Sequence, residues 1–161
     1  MADNAHIFGD HDHRDCSETA IAAVEAACAQ RGARLTRIRR RVLELLWETH
    51  EPIGAYDLLA RLKAEGFSAQ PPVVYRALDF LIREGFAHKL QSLNAYTGCA
   101  HPTEGHPAYF LICGECGRAA ELHDAGIQHA LGAAAKTQGF KLSDAVVEIE
   151  GRCAECLSKA D

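Results

Sequence analysis

Two Cys-x-x-Cys pairs constrain the fold of this chain more than any other feature. The first pair is Cys113 with Cys116, and the second is Cys153 with Cys156. A gap of two residues lets both sulfurs of a pair face one tetrahedral ion, so the two pairs together predict a tetrathiolate zinc site. A site closed by four protein ligands is structural rather than catalytic. The alternative is that these cysteines are buried free thiols or form disulfides.

Length and composition predict a cytoplasmic protein of one domain or two small ones. The chain has 161 residues, of which 48% are hydrophobic, an ordinary share for a globular protein. No apolar run approaches the roughly 20 residues of a membrane span, and the N-terminus lacks the basic and apolar segments of a signal peptide. We therefore expect no membrane partner. In the reducing cytoplasm, cysteines favour metal binding over disulfides.

Charge is distributed unevenly along the chain. The net charge is −5, yet residues 31–87 carry ten bases and seven acids. A basic segment inside an acidic chain indicates a local anionic partner such as nucleic acid. Several arginines early in this segment are candidates for phosphate contacts, which position a protein on DNA; alternatively, they form a solvated helix face. These residues are Arg34, Arg37, Arg39, Arg40 and Arg41.

Four stretches between residues 17 and 98 show helical periodicity. Ser17 and Thr36 can cap the first two helices, and a third begins near Ala55. Pro71 opens the fourth, because proline suits the first helical turn. In the second and fourth stretches, apolar residues recur at i, i+4, i+7 and i+8, which predicts a buried helix face.

A β-hairpin is expected after the fourth helix. Residues 86–91 and 95–97 are strand-like on either side of a short turn. Short helices followed by a hairpin are the outline of a winged helix-turn-helix, the fold of many DNA-binding domains. The polar face of the fourth helix, which includes Tyr75 and Arg76, would then be free to contact a partner.

The C-terminal part predicts a small domain of strands and one helix. Residues 109–112 and 119–122 indicate strands around the first cysteine pair, residues 125–137 a helix, and residues 145–149 a strand leading to the second pair. About 60 residues form only a marginal core. A structural metal or a partner subunit is therefore expected to stabilise this part, and the fold class is α+β.

A second set of metal ligands is expected around the boundary between the two parts. It combines imidazole, thiol and carboxylate groups, all of which zinc accepts, and the thiolate favours zinc over manganese. Each histidine alone is more typical of a surface or hydrogen-bonded residue. The set is His88, Cys99, His106 and Glu121, with His101, His123 and His129 as further candidates.

Four further segments carry a family resemblance together with both cysteine pairs. They are Cys-Ala-Gln-Arg-Gly-Ala-Arg-Leu-Thr (28–36), Ala-Tyr-Asp-Leu-Leu (55–59), Pro-Pro-Val-Val-Tyr-Arg-Ala-Leu-Asp-Phe-Leu (71–81) and Gly-Phe-Ala-His-Lys (85–89). As a set they resemble the Fur family of bacterial metal-sensing repressors, and within it the zinc uptake regulators. The resemblance covers roughly residues 20–157.

The resemblance implies a role for each candidate residue. The four paired cysteines would hold structural zinc, and the mixed His, Cys and Glu set would hold regulatory zinc, giving two zinc ions per chain. Tyr75 and Arg76 would face DNA from a recognition helix over residues 72–85, and Tyr56 would contact the DNA backbone. The implied organisation is a flexible His/Asp-rich tail (1–16), a winged-helix DNA-binding domain (17–98), a hinge loop (99–107) and a zinc-stapled dimerisation domain (108–161).

The predicted function is zinc-responsive repression of zinc-uptake genes by a homodimer that binds a palindromic double-stranded DNA operator. Val73 stands where the family usually has Thr or Ser, which implies the loss of one polar DNA contact. An iron- or peroxide-responsive regulator is an alternative, but residues 107–112 lack the His-rich run of iron sensors and Cys99 argues against iron. A zinc enzyme is more remote, because the chain has no HExxH motif, nucleophile elbow or phosphate loop. We therefore expect no enzymatic activity and no small-molecule substrate.

Overall fold

The computed structural model describes Phe8 and residues 13–49, 51–102 and 105–159. Over these residues the chain forms six helices and five strands. It divides into two compact units at the junction of Gly105 and His106. This junction lies inside the loop predicted as a hinge, whose role as a hinge stays a prediction. No described helix is long and apolar enough to cross a membrane.

Helix α1 begins earlier than the sequence predicts. It runs from His13, four residues before the expected cap Ser17, because no glycine or proline stands between Gly9 and Gly32 to stop it. Apart from Phe8 and the start of α1, the predicted tail lies outside the described residues. The helices of the first unit are α1 (His13–Arg31), α2 (Arg37–Trp47), α3 (Ala55–Ala64) and α4 (Pro71–Arg83).

The starts of α2 and α4 follow the sequence signals. The Thr36 hydroxyl accepts a hydrogen bond from the Arg39 amide at 3.4 Å, as expected of a helix cap. Pro71 is the first residue of α4, where its missing N–H has no helical acceptor to lose. Both helix starts are therefore set by local chemistry.

One apolar core holds the four helices together. The predicted stripes of α2 and α4 are buried, except that Ile38 and Ile82 are only partly buried against the core. Burying each leucine contributes about 1.5–3 kcal/mol. This burial decides which face α4 turns outward. The large side chains with almost no exposure in this core are Val24, Val42, Leu43, Leu58, Leu62, Val74, Leu78, Leu81 and Phe86.

The predicted hairpin is present and completes a winged helix-turn-helix. Strands β1 (Ala87–Leu90) and β2 (Ala95–Gly98) pair antiparallel, and Asn94 in the turn has a left-handed φ of 46°. Ile53, in the loop before α3, joins the edge of β2 through two 2.9 Å backbone hydrogen bonds with Tyr96. The hairpin is thereby attached to the helical part of its own unit.

The second unit is a three-stranded sheet with two helices, which confirms the α+β class. Strand β3 lies in the centre, antiparallel to β4 and parallel to β5. The parallel register places Cys113, at the end of β3, opposite Gly151 at the end of β5. Helix α6 was not predicted. The elements are β3 (Ala108–Cys113), β4 (Ala119–Leu122), α5 (Ala125–Thr137), β5 (Val146–Gly151) and α6 (Ala154–Ser158).

Candidate metal sites and nucleic-acid interface

The four paired cysteines converge at one end of the second sheet. Their sulfur atoms all lie within 4.8 Å of one another, because β3 and β5 end side by side and each leads into a cysteine pair. Cys116 Sγ and Cys153 Sγ are 3.8 Å apart, far beyond the roughly 2.05 Å of a disulfide. With a Zn–S bond of about 2.3 Å, two ligands of a tetrahedral site are about 3.8 Å apart. The donor set and this spacing therefore fit zinc.

The sulfurs differ in how firmly they hold a proton. Backbone amides of Cys116 and then Cys153 donate toward Cys113 and lower the pKa of its thiol to about 6. The Arg118 side chain is the largest of the groups that lower the pKa of Cys116. A hydrogen bond to Cys153, followed by burial, raises the pKa of Cys156 to about 12. A cation favours the thiolate form of all four, so metal binding would release protons.

A glycine shapes the turn that carries the first pair. Gly117 has a φ of +72°, in the left-handed region that other residues rarely adopt. Its amide donates to the Cys113 carbonyl at 2.9 Å, which closes the turn around Cys116. The sequence Cys-Gly-Glu-Cys-Gly thus folds both sulfurs toward the same point.

The predicted regulatory ligands form one pair within each unit. In the first unit, His88 lies in β1 and Cys99 directly follows β2, and a ring nitrogen of His88 lies within 4.8 Å of the Cys99 sulfur. The Cys99 amide donates to the Phe86 carbonyl at 3.0 Å, which extends the hairpin pairing to the ligand itself. Cys99 is buried.

In the second unit, His106 and Glu121 form the other pair. His106 precedes β3 and Glu121 lies in β4, and His106 Nε2 makes a hydrogen bond with Glu121 Oε1. Both side chains are largely buried. Of the further candidates, His101, His123 and His129 are all exposed, and His123 has its ring 6.0 Å from that of His106.

The outward face of α4 carries the residues predicted to read DNA. Tyr75 is 40% exposed, and Arg76 is exposed with its Nε donating to the Pro72 carbonyl at 3.1 Å. Tyr56, at the start of α3, is 68% exposed, an unusual amount for a large aromatic ring. The buried stripe of α4 fixes this outward face, so the orientation of Tyr75 and Arg76 follows from the core.

The candidate arginines in α2 and just before it do not all have the same partners. Arg34 and Arg37 are exposed, and Arg37 lies over the Phe67 ring at 4.8 Å. Arg40 is instead paired with Glu25 and Glu44. Arg40 is exposed as well, so it differs from Arg34 and Arg37 in its carboxylate partners rather than in its exposure.

Arg41 is held even more firmly by carboxylates. It bonds Glu65 at 2.7 Å, Glu48 at 2.9 Å and Glu44 at 3.0 Å, and the Glu65 bond contributes most to raising the pKa of Arg41. The charges of Arg40 and Arg41 are therefore already paired with carboxylates and are less available to phosphates. Glu44 follows Arg40 by four residues. This i,i+4 spacing of opposite charges is the feature of the sequence that indicates their pairing.

Comparison with known proteins gives a consistent family and fold. The family model of the ferric uptake regulator family matches residues 30–150. The zinc uptake regulation protein of Escherichia coli (strain K12) is 41% identical over 140 residues, which cover 85% of this chain and 81% of that protein.

Two solved structures are also similar. A zinc uptake regulator complexed with zinc and DNA superposes with a TM-score of 0.83 at 39% identity, covering 89% of this chain and 97% of that chain. The crystal structure of holo XcZur gives a TM-score of 0.79 at 44% identity, covering 87% and 98%.

Proposed function

Because the chain belongs to the ferric uptake regulator family, we propose that it is a zinc-responsive, DNA-binding transcriptional repressor of zinc-uptake genes. Its E. coli relative is a zinc uptake regulation protein, and a similar solved structure holds both zinc and DNA. The chain is accordingly a regulator and not an enzyme. We place it in the cytoplasm, together with its DNA partner.

We assign the structural zinc to Cys113, Cys116, Cys153 and Cys156. Four thiolates offer zinc a closed tetrahedral shell, and the 3.8 Å between the sulfurs of Cys116 and Cys153 matches the ligand spacing of such a site. When bound, zinc would supply a covalent-like crosslink between the turn after β3 and the start of α6. The small sheet of the second unit has only a limited core, so this crosslink would supply much of its stability.

We assign the regulatory zinc to His88, Cys99, His106 and Glu121, which makes two zinc ions per chain. Neither pair alone provides the four ligands that zinc takes, whereas two imidazoles, one thiolate and one carboxylate together do. Joining the pairs would tie the hairpin of the first unit to the sheet of the second. That tie is the switch, and its coupling to DNA binding would be about 1–3 kcal/mol.

Cys99 is the residue that favours zinc over other metals at this site. A thiolate is a soft ligand that suits zinc better than manganese, and Cys99 is buried beside His88 in the hairpin. Because of this thiolate ligand, we favour a zinc-responsive regulator over an iron- or peroxide-responsive one.

DNA would be read by the outward face of α4. Arg76 can pair bidentately with a guanine edge, Tyr75 would contact the bases beside it, and Tyr56 would contact the backbone. Arg34 and Arg37 would bind phosphates. A dimer reads a palindrome only when its two recognition helices lie about 34–36 Å apart, or a multiple of this. Zinc binding would select that spacing from an ensemble of spacings.

The second unit carries an apolar surface suited to a second copy of this chain. Strand β5 is an edge strand of its sheet, and within the described residues α5 buries no side chain. Exposed apolar patches of this kind mark interfaces, so we assign the homodimer contact to this unit. The exposed residues are Phe140, Leu142, Val146, Ile149 and Leu157.

DNA-binding anisotropy on a palindromic site, with zinc and with a chelator, tests the proposal. We expect tight binding only with zinc, and equal affinity in both conditions would refute zinc-responsive repression. Cys99→Ser should abolish the zinc effect while leaving the fold intact. Cys28→Ala is the matched control, because Cys28 is a buried thiol in α1 that lies outside both ligand sets.

A further inference from the structure

Each cysteine pair is accompanied by one acidic and one basic residue. The first pair has Glu115 between its cysteines and Arg118 after them, and the second has Glu155 between and Arg152 before. The structure pairs these charges crosswise, Arg118 with Glu155 and Arg152 with Glu115. Two ion pairs therefore connect the two segments that supply the sulfurs.

Arg118 differs from Arg152 because it also contacts sulfur. Its Nε donates to Cys116 Sγ at 3.4 Å, and its Nη2 approaches Cys153 Sγ at 3.8 Å, so it contacts one sulfur of each pair. The Arg118 side chain is 19% exposed, against 44% for Arg152. Within the described part of the chain, Arg152 makes no hydrogen bond to these sulfurs.

Glu155 accepts hydrogen bonds from both terminal nitrogens of the same guanidinium. The Arg118 Nη1 bonds Glu155 Oε1 at 3.3 Å, and Nη2 bonds the other carboxylate oxygen. This two-pronged contact fixes the plane of the guanidinium, which a single bond would not. The direction of the N–H groups toward the sulfurs therefore depends on Glu155.

Four thiolates around a divalent ion leave a net charge of about −2 on the site. A guanidinium beside the sulfurs offsets part of that charge, and N–H···S bonds orient the ligands. Groups that orient metal ligands from outside the first shell typically change metal affinity by about 10–100-fold when removed. Arg118 has the contacts required for such an effect, whereas Arg152 has only a surface ion pair, which is weak in general.

We propose that Arg118, oriented by Glu155, is a positioning residue of the tetrathiolate that keeps Cys116 and Cys153 in ligand geometry and slows zinc loss. The inference rests on the assignment of structural zinc to the four cysteines. It adds to that assignment a residue that binds no metal itself.

Zinc release tests the proposal in the full chain carrying Cys99→Ser, which removes a regulatory ligand. Release to a chromophoric chelator is followed for Arg118→Ala and for the matched control Arg152→Ala, since each loses one arginine and one ion pair between the segments. We expect release about 10-fold faster in Arg118→Ala and little change in Arg152→Ala. Equal rates in the two variants would overturn the role of Arg118.

Two further measurements keep the proposal testable if Arg118→Ala does not fold. Glu155→Gln leaves every sulfur contact residue in place but removes the carboxylate charge, and it should also speed release. In the cobalt-substituted protein, losing N–H···S bonds should move the thiolate-to-metal charge-transfer band to lower energy, and an unmoved band would contradict the proposal.

If the Cys99→Ser chain retains no zinc, the structural site itself is refuted, which is distinct from equal release rates.

Discussion

Replacing Gly98 with alanine would drive a methyl group into the indole ring of Trp47. A Cβ at this position would lie 2.3 Å from Nε1, 2.6 Å from Cε2 and 2.8 Å from Cδ1 of that ring. Carbon contacts are optimal at about 3.5–4.0 Å, so the rigid ring would have to move by about 1 Å. Trp47 packs against the core of the first unit, which resists such a shift.

We expect Gly98→Ala to cost about 1–3 kcal/mol, the usual range for overpacking. For a domain of this size each kcal/mol lowers Tm by about 4–8 °C, which thermal unfolding followed by circular dichroism detects easily. Gly98 also immediately precedes Cys99, so the displaced strand should weaken the zinc dependence of DNA binding. Both effects come from one clash.

Gly105→Ala is the matched control, because a Cβ there meets nothing within 4 Å. Adding Trp47→Leu to Gly98→Ala should recover part of the loss, since the smaller side chain vacates the contested space and the two sites are in direct contact. Equal Tm values for the Gly98 and Gly105 variants would refute the argument from close approach.

The remaining predictions concern α2 and α4. Thr36→Ala should lower the stability of the first unit by about 1 kcal/mol through loss of the cap, whereas Ser68→Ala, at an exposed position outside any helix, should not; denaturant unfolding measures both. Because Arg41 lowers the pKa of Glu65, the pair stabilises the fold above the unfolded carboxyl pKa, and that stability is lost as pH falls through the lowered folded value. Glu65→Gln should therefore lose stability at neutral pH and flatten the acid limb of a stability–pH curve, and an unchanged limb would contradict the pairing. Arg76→Ala should leave Tm unchanged while costing about 1–3 kcal/mol of discrimination at one base position, measured by competition between operator variants; uniform weakening across variants would indicate a phosphate contact instead.

Sequence periodicity was enough to predict the helical half of the fold. The spacing of Val42, Leu45 and Leu46 gave the buried face of α2, and Thr36 gave its first turn. These signals are local, because neighbouring turns of one helix decide them. The same holds for the first Cys-x-x-Cys turn, in which Gly117 supplies the left-handed backbone conformation.

Contacts between distant residues could not be obtained in this way. Nothing in the sequence states that β3 pairs with β5, although that register brings the second cysteine pair beside the first. Glu65, the partner of Arg41, lies 24 residues from it in the sequence, and Glu155 lies 37 residues from its partner Arg118. Such pairings depend on the packing of whole elements, so a charge that appeared available in the sequence is already engaged in the fold.

The bridge between Ile53 and Tyr96 makes the hairpin and the start of α3 a single mechanical element. Tyr96 lies three residues before Cys99, and Ile53 lies three residues before Tyr56. With two 2.9 Å hydrogen bonds between them, a displacement of β2 carries the exposed ring of Tyr56 along with it. Strain applied near Cys99 is therefore delivered over only a few residues to the start of α3 in the same unit.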